Sequence, residues 1–312
     1  MNELMVLCQV GPFSITAFGL CVAAGALLAL ALTAVLGRRE PGVNGVLSLG
    51  ASTIIGALLG ARVLYCLTTL STILVDMEEG AAFIPQLWQG GYTLYGAVLG
   101  GGAGAWLYAR AARKPVGAVL DLAAAGGALA LVCERLGEYF TSQGLGDFVR
   151  EEAWQRFPFA VQSAYEDWQV PIFVYEALAA FIILVVLLCM RGRTPAGRGA
   201  EVFILLLGTT QIILESLRAD EFIRFGFVRL NMLAAAITMA PVFIARVIRS
   251  VRRRGWMPWQ VIRIALFVLC ATAVIVIEFA LDKSDLDNTL LYFIMAGVLA
   301  AMAVSALADG QK

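Results

Sequence analysis

The chain has 312 residues, of which 60% are hydrophobic and 15% charged, with 23 basic and 23 acidic side chains and a mean hydropathy of +0.82. A soluble domain uses about 45–50% apolar residues, so this composition defines an all-α polytopic membrane protein, and a net charge of zero leaves no basis for nucleic-acid binding. Histidine is absent, which excludes a Ser/His/Asp triad, an HExxH zinc site and an imidazole base, and leaves carboxylate, phenol and guanidinium as the reactive groups. Cys8, Cys21, Cys66, Cys133, Cys189 and Cys270 form no CxxC pair and lie in or beside apolar runs. They read as small buried hydrophobes, with no metal or cofactor expected.

At about 20 apolar residues per crossing, spans are predicted near 13–36, 46–72, 92–111, 118–140, 170–190, 201–218, 229–249, 259–281 and 289–308. The start, MNELMVLCQVGPFSI, lacks a basic n-region, so the first run reads as a retained span rather than a signal peptide. Gly56 and Gly60 in the second span, and Gly96, Gly100 and Gly104 in the third, recur every fourth position, a spacing that lets helix backbones approach. One alternate set of loops carries Arg38 and Arg39, then Arg110, Arg113 and Lys114, then Arg191, Arg193 and Arg198, then Arg246, Arg249 and Arg252 to Arg254. The positive-inside rule makes that face cytoplasmic. The opposite set holds Asp76, Glu78, Glu79, Asp147, Glu151, Glu152, Glu166 and Asp167, which places the amino terminus outside and the carboxyl terminus in the cytoplasm. Two outer-face loops are aromatic: 73–91, with Phe83 and Trp88, and 141–169, with Trp154, Phe157, Phe159, Tyr165 and Trp168. Both suit the headgroup layer.

Charges inside the spans gather at one expected depth. Arg62, Glu134, Arg135, Glu138, Glu176, Glu215 and Arg218 fall near the outer ends of their helices, with Tyr95 at a similar height. An ionised group in hydrocarbon costs about 2.5–3.5 kcal/mol on insertion scales. Arg135 with Glu138, and Glu215 with Arg218, are each three apart and can neutralise one another on one helix face. Salt bridges of that kind account for any single pair, whereas five helices contributing at one level point to a binding site. Three guanidinium groups fit a phosphate, and an anionic phospholipid headgroup would satisfy them while the carboxylates keep them oriented. Asp121 lies outside this layer and reads as a helix-end partner; Tyr175 and Trp88 read as interfacial anchors.

The motifs, taken in order, carry a resemblance. They are Gly11–Ile15 with Phe18-Gly19-Leu20; GARVLYCL at 60–67; Trp88-Gln89-Gly90-Gly91 with Tyr95, Gly96 and Gly100; Asp121 with Glu134-Arg135-Leu136-Gly137-Glu138-Tyr139-Phe140; Pro171 with Tyr175-Glu176-Ala177; and Gly208, Gln211, Glu215 and Arg218. Across roughly residues 10–245 the chain resembles the bacterial prolipoprotein diacylglyceryl transferase family, with Arg135 in that family's essential arginine position. The resemblance implies a multi-pass protein of the bacterial cytoplasmic (inner) membrane. It would move a diacylglyceryl group from phosphatidylglycerol to the lipobox cysteine of a secreted prolipoprotein at the outer face. Its partners would be phosphatidylglycerol, prolipoproteins and membrane lipids.

Arg135 is expected as the phosphate clamp, with Arg62, Arg218 and Gln211 at the headgroup, Glu138 or Tyr95 as the base, and Glu176, Glu215, Tyr175, Gly91, Gly96 and Gly137 in support. The chain departs from the family where Glu138 replaces asparagine, Thr141 and Gln143 replace asparagine and glutamate, Gln211 replaces arginine and Phe18 replaces tyrosine. Residues 1–249 are expected to form a seven-helix transferase-like core and 250–312 a two-helix C-terminal extension. A non-catalytic lipid- or preprotein-binding relative and an anion or lipid transporter are the competing classes. The sequence lacks the internal symmetry frequent in transporters.

Overall fold

The structure is a computed structural model that describes residues 5–11, 13–38, 45–75, 77–163, 166–220, 224–225, 228–283 and 288–307. Pro12, Arg39, Asp76 and Tyr165, named above, lie outside the described residues. The chain divides into two compact units, Met1–Ala200 and Glu201–Lys312.

In the first unit, an antiparallel hairpin of β1 (Val6–Val10) and β2 (Phe13–Thr16) leads into α1 (Ala17–Gly37). The Thr16 hydroxyl accepts from the Gly19 N–H at 3.0 Å, satisfying one of the orphan donors of that helix start. Then come α2 (Val46–Thr68), a short α3 (Leu70–Val75), and a loop with single 3₁₀ turns at Gly80–Phe83 and Leu87–Gln89. α4 (Leu94–Ala111) and α5 (Val116–Gly137) follow, the latter tightening into a 3₁₀ turn at Glu138–Phe140. A small antiparallel sheet of β3 (Leu145–Phe148), β4 (Val161–Gln162) and β5 (Trp168–Pro171), with β5 in the centre, covers the start of α6 (Ile172–Met190).

Glycine sets the closest packing. A Cβ on Gly100 would lie 2.8 Å from the Gly60 Cα, and one on Gly96 would lie 2.7 Å from the Ala61 Cα, so α2 and α4 touch backbone to backbone. α1 and α5 meet glycine against side chain: a Cβ on Gly137 would sit 2.7 Å from that of Cys21, and one on Gly25 2.8 Å from that of Cys133. Between α2, α4 and α5, Leu49, Ala105, Tyr108, Ala109, Val119 and Leu122 form a closed apolar core. Asp121 reaches from α5 to the following helix, accepting from the Gly197 and Ala200 N–H groups at 2.7 and 2.8 Å.

That helix, α7 (Arg198–Ser216), carries the chain into the second unit. There a two-stranded ribbon, β6 (Arg224–Phe225) and β7 (Val228–Arg229), precedes α8 (Leu230–Arg254), α9 (Pro258–Lys283) and α10 (Asn288–Leu307). Gly208 of α7 admits the Met239 side chain of α8, and Phe243 stacks on Phe267 with ring centroids 4.0 Å apart. Two buried arginines cap α10: Arg263 Nε donates to the Ser305 carbonyl at 2.9 Å, and Arg246 Nη2 donates to that of Leu307 at 3.0 Å. The last carbonyls of a helix have no partner within it, so these guanidinium groups close its end. Arg246 also pairs with Glu201 at 3.2 Å, which ties the cap to α7.

Among the described residues, eight helices are long and apolar enough to cross a membrane. The remaining expected crossing is α4, an 18-residue helix made less apolar by Gly96, Gly100, Gly101, Gly102, Gly104 and Arg110. The result is the all-α polytopic bundle expected from composition.

Candidate active site

In the first unit the last turns of α5 and the second turn of α6 build an ionic cluster around one guanidinium. Arg135, 4% exposed, lies with Nη1 against the Glu138 carboxylate and 3.4 Å from Glu176 Oε2, and its Nε is 3.3 Å from Glu134 Oε2. Helical spacing explains the Glu138 contact, since residues three apart share a face. Glu138 is fixed from the other side as well. The Thr141 N–H and hydroxyl donate to its backbone carbonyl at 2.9 and 2.7 Å, closing the 3₁₀ turn. Gly144, at φ +74°, then turns the chain beside the Glu138 carboxylate; a Cβ there would run into that carboxylate and come within 2.7 Å of the Phe173 Cβ. The Gly144 carbonyl accepts from the Phe173 N–H at 2.9 Å, joining this turn to α6.

One guanidinium therefore faces three carboxylates, two of them nearly inaccessible. An arriving anion must compete with Glu138 for Arg135. Tyr95, 1% exposed, begins α4, and the close approach of Gly96 to α2 fixes its backbone.

Arg62 does something else. Its Nε donates to the Ile84 carbonyl at 3.2 Å, its Nη1 to those of Gly90 and Gly91, and its Nη2 to that of Phe83. The guanidinium also stacks 4.2 Å from the Phe83 ring centroid. Arg62, expected at the headgroup, is here bonded to carbonyls of the loop between α3 and α4, the geometry of a loop anchor. Gly91, at φ +74°, is needed here, because a Cβ would sit 2.9 Å from Arg62 Nη1 and 2.8 Å from Tyr65 Cδ1. Tyr175 holds another loop: its hydroxyl donates to the Pro158 carbonyl at 3.2 Å.

The second unit has its own cluster, at the junction of α7 and α8. Glu215, 1% exposed, accepts at Oε2 from Gln211 Nε2 and Asn231 Nδ2, each at 3.0 Å, with Arg229 Nη1 3.7 Å from Oε1. Arg218 forks onto Asp220, with Nε at 3.1 Å and Nη2 at 2.7 Å from Oδ2, and Asp220 is also paired with Arg229 at 3.3 Å. Among the described residues, two guanidinium groups here meet two carboxylates. Within the second unit Gln211, Glu215 and Arg218 thus belong to one network, and within the first Arg135, Glu138 and Glu176 belong to another.

Sequence reasoning missed Asp220, Arg229, Asn231 and Gly144. The spacing Arg218-Ala219-Asp220 and an arginine on the threshold of the seventh span were signals for the first two. Asn231 and Gly144 were marked only by being polar or flexible at an element boundary.

These features define a class: a polytopic helical membrane protein that buries compensated arginine clusters near helix ends. The Prolipoprotein diacylglyceryl transferase family profile matches residues 5–251. The chain belongs to that family. It is similar to the phosphatidylglycerol–prolipoprotein diacylglyceryl transferase of Synechococcus elongatus, 29% identical over 252 residues that cover 75% of this chain and 83% of the relative. The protein of the same name in Mycobacteroides abscessus is 27% identical over 247 residues, covering 73% of this chain and 72% of the relative. That of Symbiobacterium thermophilum is 29% identical over 248 residues, covering 73% and 86%.

Proposed function

We propose that this protein transfers a diacylglyceryl group from phosphatidylglycerol to the lipobox cysteine thiol of a prolipoprotein, releasing glycerol phosphate. The observation that carries the reading is the family match over residues 5–251, with the buried Arg135 in the arginine position of its α5 motif. In the reaction a sulfur–carbon bond forms at the lipid glycerol while the carbon–oxygen bond to phosphate breaks. The thiol proton must leave, and charge gathers on phosphate oxygens.

Arg135 is the group to receive that charge, and Glu138, in contact with it, is the proton acceptor we favour over Tyr95. Burial strengthens such electrostatic contacts and orients them in advance. Glu176 and Glu134 orient Arg135; Arg218 and Arg229, with Gln211, are the headgroup-facing set of the second unit. Arg62, Gly91 and Tyr175 hold loops, while Gly96 and Gly137 allow the helix contacts that fix Tyr95 and α5.

The loop charges favour an external amino terminus and a cytoplasmic carboxyl terminus. The family match ends at residue 251, which supports a transferase part of 1–249 and an extension of 250–312.

The test is direct. Purified full-length protein is given labelled phosphatidylglycerol and a lipobox peptide, and thioether formation is followed for wild type and Arg135→Ala. Turnover by wild type and its loss in the variant is the expected result, and equal rates would remove Arg135 from the mechanism. The engagement of Arg135 by Glu138 favours a second reading, a relative that binds lipid without chemistry. Saturable lipid binding with no thioether would identify it.

A further inference from the structure

Among the described side chains of the α7–α8 junction, Asn231 has a buried acceptor left over. The residue is 7% exposed, its Nδ2 donates to Glu215 Oε2 at 3.0 Å, and its Oδ1 has no hydrogen-bond partner. The amide cannot turn over to relieve this. Glu215 is an acceptor already bound by Gln211 Nε2 and faced by Arg229, so an inverted amide would set oxygen against oxygen. The network thus fixes Oδ1 facing away from Glu215, ready for a donor. Buried carbonyl oxygens are seldom left unsatisfied without a reason of this kind.

We infer that Asn231 Oδ1 accepts a hydrogen bond from a hydroxyl of the phospholipid headgroup and so selects a polyol head. The choice of phosphatidylglycerol as that lipid rests on the transfer reading. The surroundings fit such a ligand: Arg229 faces both Glu215 and Asp220 and Arg218 forks onto Asp220, so a phosphodiester arriving beside them would share guanidinium groups already held in place. A glycerol head brings both the anion and the O–H donors. A head ending in a simple alkyl chain brings only the anion.

Equilibrium binding of short-chain phosphatidylglycerol is compared with that of the matching phosphatidylpropanol, whose head lacks both hydroxyls, on the detergent-solubilised full chain. Wild type is expected to favour phosphatidylglycerol about five- to tenfold, as one neutral hydrogen bond allows. Asn231→Leu, close to isosteric, should bring that ratio near one while changing phosphatidylpropanol binding little. No preference in wild type overturns the inference, whatever the variants do. So does a preference that survives the substitution, or an equal weakening of both lipids, which would mark a structural role. If the leucine variant does not fold, Asn231→Ala carries the same comparison. Headgroup preference without any thioether product would sink the transfer reading and leave this inference standing.

Discussion

Arg135 pairs with Glu134, Glu138 and Glu176, so replacing it acts twice. Loss of a charged donor to a developing oxyanion is expected to cost about 2.7–4 kcal/mol, a hundred- to thousandfold in turnover. Taking one partner out of these buried ion pairs should also destabilise the fold by about 3–5 kcal/mol. Arg135→Lys separates the two effects, because an ammonium keeps the charge and loses the planar fork. It should melt close to wild type and still transfer poorly, as thermal unfolding beside turnover will show. Glu138→Gln isolates the proton step: kcat is expected to fall about a hundredfold or more with the KM for lipid no higher, since a competitor for Arg135 has gone. Unchanged kcat would shift the base to Tyr95, to be tested with Tyr95→Phe. The residue types at this site were legible in the sequence, and so was the Arg135–Glu138 pair, which local helix geometry dictates. The direction of the Arg62 side chain was not. It depends on a loop more than twenty residues away that folds back onto α2, and no periodicity encodes that return.

At the scale of elements, the contact between α2 and α4 has no slack. Gly100→Val would drive a side chain into backbone atoms of Gly56 and Gly60, which cannot rotate aside as a side chain can. A loss of about 1–3 kcal/mol or more is expected, read as a lower unfolding midpoint in detergent. Gly102 sits on the same helix with nothing within 4 Å of its would-be Cβ, so Gly102→Val should melt near wild type. If the two variants fell equally, helix propensity and not interhelical approach would be the cause. The helices themselves were readable from apolar length, and their ends fall close to the expected limits. The small sheet of β3, β4 and β5 was not, because strands this short have too few residues to show an alternation.

For the whole molecule, the last two helices are held to α8 within the second unit by polar contacts as well as by apolar packing. Removing residues 255–312 would take away the Leu307 carbonyl and strip cover from Arg246, itself 3% exposed and paired with Glu201. The shortened chain is expected to unfold at a lower temperature yet to retain transfer in the cold, because residues 5–251 carry the family match. Arg246→Met should recover part of the lost midpoint in the shortened chain only. An unaltered midpoint after truncation would show the extension to be an independent hairpin. A different freedom follows from the way Arg62 holds its loop. Every hydrogen bond it makes there is to peptide oxygen, which all amino acids share. Mutational drift between Phe83 and Gly91 is thus tolerated by the grip itself, with Phe83, whose ring it also covers, and the positive-φ glycines Gly90 and Gly91 as the constrained letters. Homologous chains could spell this stretch differently and still fasten it with the same arginine.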